Sequence, residues 1–214
     1  IVRGYGQVPL TQPWNPYLPL LAWMVVLLAT WSVLVGDRWM LVPLVAAASY
    51  CAQTHIPYLP LGVGMVAVAV AGLAWRALSG GFGAGNRRDS SSEAGFWGRE
   101  VAVAAGVGVV LWLPPVADQV RRTPGNIRQL LDHFGSPPDE PLGLREGVEL
   151  ALRHLDAWAG LARQVTDSGT FLTAASAWRG ALVLAVWAVA AVVAWRRGSR
   201  ALRALHVVVA AGVI

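Results

Sequence analysis

Residues Leu111 to Asn126 read L-W-L-P-P-V-A-D-Q-V-R-R-T-P-G-N. Here a long apolar run gives out and the chain's one long charged segment begins. If that run crosses a membrane, Pro114 and Pro115 mark its mouth, and Asp118, Gln119 and Asn126 fall just outside it, where polar chemistry is possible. Composition supports the membrane reading: 56% of residues are hydrophobic and 14% charged, against about 45–50% and about 25% in soluble chains. Mean hydropathy is +0.51. The fold class expected is all-α, a polytopic transmembrane helix bundle with a small helical extracytoplasmic segment.

Working outward from this stretch, apolar runs near the length of about 20 residues needed to span a bilayer occur at Leu18–Gly36, Trp39–Thr54, Tyr58–Trp75, Val101–Val116 and Ala177–Trp195. A sixth begins at Ala204 and is cut short by the end of the sequence. Trp14, Tyr17, Trp39, Tyr58, Trp75, Trp112, Trp178 and Trp195 lie near the run ends, as interfacial aromatics do. Three parts follow: residues 1–116 as a bundle with a cytoplasmic Gly/Ser/Arg linker at 76–99, residues 117–176 as an extracytoplasmic helical segment, and residues 177–214 as the final spans. The sequence has neither an initial Met nor a charged leader region, and it is expected to be an internal piece of a longer protein.

Every basic residue is Arg, and the formal charge is +5. These residues fall between apolar runs and not along one face interleaved with aromatics, so they read as topology signals and not as a nucleic-acid surface. Arg76, Arg87, Arg88 and Arg99 in the linker, and Arg196, Arg197, Arg200 and Arg203 after Trp195, place those segments on the cytoplasmic side of a bacterial plasma membrane. Residues 117–176 carry six arginines and eight acids and should face outward with residues 1–17 and the turn at Gln53–Pro57.

The linker alternates Gly81, Gly83 and Gly85, but no strand precedes them and no Lys follows, so a flexible connection fits better than a phosphate loop. In the outer segment, Pro124-Gly125-Asn126 resembles a helix start with Asn126 as cap, and Gly135 with Pro137 and Pro138 ends that helix. A second helix is expected from Leu142 to Val165. Leu144, Val148, Ala151, Leu152, Leu155, Trp158, Ala162 and Val165 fall on one stripe, with Arg145, Glu149, Arg153, Asp156 and Arg163 largely opposite. Glu149 and Arg153 have the spacing of a helical ion pair. Such a helix would lie on the bilayer surface or against the bundle and shape an outer vestibule.

Four polar groups fall at the outer helix ends: Trp14-Asn15-Pro16-Tyr17, Gln53-Thr54-His55, Asp118-Gln119 and Pro124-Gly125-Asn126. One outward-facing pocket can collect them, yet each also has a plainer reading. Asn15 before a proline suits a turn, His55 can satisfy free carbonyls at a helix end, and Asp118 can mark the water boundary. His55, His133 and His154 supply no obvious ligand set, so no metal is expected. Cys51, the single cysteine, has no partner for an internal disulfide. Nucleophile-elbow, P-loop and zinc-protease patterns are absent, no cofactor is implied, and the complete spans lack the deep charges that ion-coupled transporters commonly use.

The order and spacing of W-N-P-Y, Q-T-H, L-P-P-V-A-D-Q and P-G-N resemble those of actinobacterial multi-pass membrane proteins related to the GT-C glycosyltransferases, the class of the dolichyl-phosphate-mannose protein mannosyltransferases. The resemblance covers most of the chain through short motifs. It implies an enzyme that moves a sugar from a polyprenyl-phosphate donor to an acceptor on the extracytoplasmic side, with the donor and membrane lipid as partners. The catalytic acid of that class lies in a first outer loop expected upstream of Ile1. On this resemblance Asn15, Gln53, His55, Gln119 and Asn126 would hydrogen-bond sugar or phosphate, and Arg121 or Arg122 would offset phosphate charge. Asp118 is the candidate acid or orienting group. The alternative from another class is a non-catalytic membrane protein, a lipid-linked glycan carrier or an assembly scaffold.

Overall fold

The computed structural model describes residues 14–79, 90–136, 143–162 and 174–213. Within them the chain is all helical: α1 Leu20–Val35, a 3-10 turn Arg38–Met40, α2 Leu41–Thr54, α3 Tyr58–Leu78, α4 Ser90–Arg121, α5 Asn126–Gly135, α6 Leu144–His154, α7 Ala157–Ala162, α8 Ala177–Arg197 and α9 Arg200–Val213. Among the described residues three stretches are long and apolar enough to cross a membrane: Tyr58–Leu78, Gly98–Arg121 and Ala177–Arg196. That is consistent with a multi-pass membrane protein. The apolar α1 has 16 residues, about 24 Å at about 1.5 Å per residue, short of a hydrocarbon core of about 30 Å. The 14 residues of α2 fall further short, so packing against longer neighbours must support it. Two compact units form, one from α1–α4 with α9 and one from α5–α8, dividing at Arg121/Arg122 and at Arg197/Gly198.

In the first unit α2 packs against α1, α3 and α4, while α9 packs against α1 and α3. Its core runs through Val26, Ala29 and Val33 of α1, Leu44, Ala48 and Cys51 of α2, Met65, Ala69 and Leu73 of α3, and Ala104 of α4. Between lipid-embedded helices the hydrophobic effect offers no net attraction, so association rests on close backbone approach and a few hydrogen bonds. The contacts accordingly occur at small residues. A Cβ on Gly62 of α3 would stand 3.3 Å from the Cβ of Ala48, and one on Gly108 of α4 would stand 3.2 Å from Val45 Cγ1. The parallel pairing of Val45 with Gly108 and Ser49 with Trp112 shows that α2 and α4 run in the same direction.

α1 ends at Gly36, whose φ of 141° belongs to glycine and whose N–H donates to Ser32 O at 3.0 Å. Asp37 then accepts from Trp39 N at 3.2 Å and starts the 3-10 turn that feeds α2. Pro43 sits in the first turn of α2, where its missing N–H breaks no intrahelical bond.

The second unit is tied together by Asp156, whose side chain is 0% exposed. Its Oδ1 accepts from Trp158 N at 3.1 Å and Ala159 N at 3.3 Å, capping α7. Its Oδ2 accepts from Ser176 N at 2.8 Å, at the start of α8. Arg179 Nη1 lies 3.6 Å from Oδ2 and supplies the countercharge. One buried carboxylate thus satisfies the starts of two helices that begin about 20 residues apart in the chain. α6 packs on α8, so closely that a Cβ on Gly180 would overlap the carbonyl of Leu152.

Several sequence expectations change here. α4 does not stop at the prolines: Pro114 and Pro115 lie inside it and the helix continues to Arg121. The linker expected at 76–99 is shorter, because α3 continues to Leu78 and α4 starts at Ser90; residues 80–89 lie outside the described residues. The helix expected over Leu142–Val165 is broken at Leu155 and Asp156, because the Asp156 carboxylate captures the N–H groups of the next turn and restarts the chain as α7. Arg163, Val165 and Asp167 lie outside the described residues, as do residues 1–13 and 137–142. The cap of α5 is Gly125, not Asn126, which takes the first helical position. The Glu149–Arg153 pair does form, at 2.6 Å.

Candidate functional site at the Gln53 end of the bundle

The two prolines organise this end of the first unit. In an α-helix the carbonyl of residue i accepts from the N–H of residue i+4, and proline has none to give. Pro115 therefore leaves the Leu111 carbonyl without its helical donor, and Pro114 does the same to Val110. Gln53, at the last turn of α2, donates Nε2–H to Leu111 O at 3.0 Å. One turn away, Trp112 Nε1 donates to Ser49 Oγ at 3.2 Å. Two hydrogen bonds thus hold α2 against the proline-altered segment of α4.

Around them lies a cleft of about 180 Å³. Val45, Ala48, Ser49 and Ala52 of α2 form one side, Leu59, Gly62, Val63 and Val66 of α3 another, and Trp112 of α4 closes it. The small residues that let the helices approach also leave this space. Its only polar side chains, the Ser49 hydroxyl and the Trp112 indole, bond each other, so the lining offers an apolar surface. Cavities near 150 Å³ lined by aliphatic groups accept benzene-sized guests, which scales this one to about one or two isoprene units.

At the same end stand the entry to α1, the exit of α2 and the entry to α3. Cys51 Sγ donates to Pro19 O at 3.7 Å, joining the α2 exit to the α1 entry. The Trp23 and Tyr58 rings meet edge-on with centroids 5.4 Å apart, and His55 reaches the Tyr58 ring at 6.1 Å. His55 ends α2 in extended conformation, its N–H on Cys51 O. Asn15 is exposed in the turn before α1, where Tyr17 N donates to Trp14 O at 2.8 Å.

Asp118 and Gln119 are half-buried on the last turns of α4, and Arg121 is exposed at its end. In the register that pairs Val45 with Gly108 and Ser49 with Trp112, Gln53 stands level with residue 116, so at about 1.5 Å per residue Asp118 lies about 3 Å further along the axis. The bundle therefore brings Asn15, Gln53, His55, Asp118, Gln119 and Arg121 to one end but staggers them along its axis. Arg122 and Asn126 belong to the other unit.

Sequence reasoning missed two buried acids. Asp156, read as part of a polar face, is the cap described above. Glu100 of α4 is 1% exposed, with neither carboxylate oxygen hydrogen-bonded. The expected span began one residue later, at Val101, which left Glu100 on the water side. The helical repeat through Glu100, Ala104, Gly108 and Trp112, the stripe that meets α2, is the signal that places it inside. Among the described residues no three His, Cys, Asp or Glu side chains stand close enough together to hold a metal ion. Comparisons with protein-family models, with curated proteins and with solved structures found no match.

Proposed function

We propose that this chain is part of a membrane glycosyltransferase that takes a sugar from a polyprenyl-phosphate donor and passes it to an acceptor on the extracytoplasmic side, the Gln53 end of the bundle facing outward. The observation that carries the reading is the apolar cleft of α2, α3 and α4, which shares one end of the bundle with a set of hydrogen-bonding side chains. An isoprenoid chain needs an apolar seat within the membrane, and its phosphate and sugar need polar partners at the boundary. The cleft supplies the first, and Asn15, His55, Asp118, Gln119 and Arg121 supply the second.

In this reading the polyprenyl tail enters the cleft beside Trp112. Arg121 offsets the phosphate charge as it grows on departure of the sugar. His55, Asn15 and Gln119 hydrogen-bond sugar hydroxyls. Gln53 contributes through its carbonyl oxygen, since its amide hydrogen serves Leu111. Asp118 orients the acceptor hydroxyl or takes its proton.

The test is sugar transfer from radiolabelled polyprenyl-phosphate sugars by the full-length protein in membranes, comparing wild type with Gly62→Leu, which fills the cleft, and with His55→Ala and Asp118→Asn. Transfer lost in all three supports the reading. Transfer unchanged in His55→Ala and Asp118→Asn overturns the site. Donor binding without transfer under any condition favours a lipid-linked glycan carrier or scaffold instead.

A further inference from the structure

The short helix α5 follows the span of α4 almost at once. Gly98–Arg121 is long and apolar enough to cross a membrane, and only residues 122–125 separate Arg121 from the start of α5 at Asn126. Fully extended, five residue steps reach about 17 Å, so α5 begins within that distance of the boundary where α4 leaves the membrane. It does not cross in its turn. Its 10 residues make a rod of about 15 Å, half of a hydrocarbon core of about 30 Å, and Arg128, Asp132 and His133 stand on it.

Its apolar residues all fall on one side. Ile127, Leu131 and Phe134 recur at i, i+4 and i+7, the spacing of a single helical stripe, and they are 59%, 67% and 61% exposed. The other side is polar and keeps to itself. Gln129 turns back to donate Nε2–H to Pro124 O at 3.2 Å, and Arg128 faces Asp132 at 3.9 Å with both side chains in the open. Among the described helices none packs along α5. A helix tethered beside a bilayer, too short and too polar to enter it, meets one surface that suits a bare apolar stripe: the boundary between headgroups and acyl chains. We propose that α5 lies flat in the membrane interface, with Ile127, Leu131 and Phe134 seated among the acyl chains and the Gln129 and Asp132 side turned to water. Arg128 and Asp132 cancel in charge, so the apolar stripe carries the binding and an anionic headgroup is not required. So seated, α5 anchors the chain where it leaves the span.

The experiment places a spin label at one position at a time in the full chain, reconstituted in nanodiscs. Leu131→Cys and Phe134→Cys probe the stripe, and Gln129→Cys and Asp132→Cys probe the other side. Cys51 is the chain's single native cysteine and is buried, so the introduced thiol takes the label. All four positions are exposed, and the labels leave the packed helices intact. Collisions with oxygen, which concentrates in the bilayer, are compared with collisions with a nickel chelate confined to water. Oxygen should dominate at 131 and 134, at the depth of about 5–10 Å that interfacial helices reach. The chelate should dominate at 129 and 132, so the preference reverses in the single step from 131 to 132. Discs of phosphatidylcholine, with or without phosphatidylglycerol, should give the same pattern. Chelate access at all four positions puts α5 in water and overturns the proposal. Poor access of both reagents at 131 and 134 means that protein, a second copy or another segment, covers the stripe, and overturns it equally. A pattern that appears only with phosphatidylglycerol refutes the apolar basis of the binding.

Discussion

Gln53→Leu should destabilise the first unit by an amount that depends on Pro115. The substitution keeps the volume of the side chain but removes the N–H that reaches Leu111 O at 3.0 Å. Interhelical hydrogen bonds in membrane proteins average about 0.6 kcal/mol and reach about 1.7 kcal/mol. This one should lie near the upper end, about 1.5 kcal/mol, because Pro115 denies the carbonyl its helical donor and an unsatisfied carbonyl in hydrocarbon is costly. In a Pro115→Ala background the chain regains an N–H at position 115. The Leu111 carbonyl is then satisfied within α4, and Gln53→Leu should cost less than about 0.5 kcal/mol. The coupling energy is therefore expected to be about 1 kcal/mol, and the cycle cancels whatever Pro115→Ala does alone. Equilibrium unfolding of the four proteins in mixed micelles measures it. Equal costs of Gln53→Leu in both backgrounds would refute the claim that Gln53 replaces a donor that proline removes.

Asp156→Ala should cost about 2–4 kcal/mol, since it leaves three backbone N–H groups without their acceptor and Arg179 without its countercharge, and hydrogen exchange should rise at Trp158, Ala159 and Ser176 together. Asp156→Asn retains acceptor capacity and should show a smaller loss, and protection lost at α7 alone would contradict the two-helix role. Gly180→Ala drives a Cβ into the Leu152 carbonyl and should separate α6 from α8 at a cost of about 1–3 kcal/mol, read as faster proteolysis within α6, whereas Gly147→Ala, with open space around it, serves as the neutral control. Trp112→Phe removes the bond to Ser49 while keeping an aromatic wall for the cleft and should cost about 0.6 kcal/mol; the same loss in a Ser49→Ala background would show that the bond contributes nothing.

Much of the fold could be read from the chain. Apolar run lengths located α1, α3, α8 and most of α4, because a membrane demands long stretches of one character. The helix pair of α6 also showed itself, since Glu149 and Arg153 depend only on local spacing. What escaped were the features decided by partners distant in sequence. Pro114 and Pro115 looked like a stop because proline breaks isolated helices. Here α4 carries on through both, with a donor from α2, 58 residues away, bonded to the carbonyl that Pro115 deprives. Asp156 fitted an amphipathic stripe, and only the arrival of Ser176 and Arg179 beside it explains its burial. At the candidate site the sequence located the polar residues near helix ends but not their stagger, because the extent of α4 beyond the prolines sets how far Asp118 projects. The amide of Gln53 could not be told from a ligand group until its acceptor was visible.

The bond from Trp31 to the carbonyl of Ala201 spans 170 residues, and that separation has a temporal side. At about 5–20 residues per second of synthesis, roughly ten to thirty seconds pass between the emergence of the two partners. α5 to α8 must be made before α9 exists, so the first unit is interrupted in the chain and is completed only after the second has been synthesised. During that interval the Trp31 indole has only lipid or water to serve it, and the face of α1 and α3 that α9 will cover stays open. An arrested chain ending before Arg200 would therefore expose this unfinished face, a natural place for membrane quality control to distinguish a growing protein from a finished one.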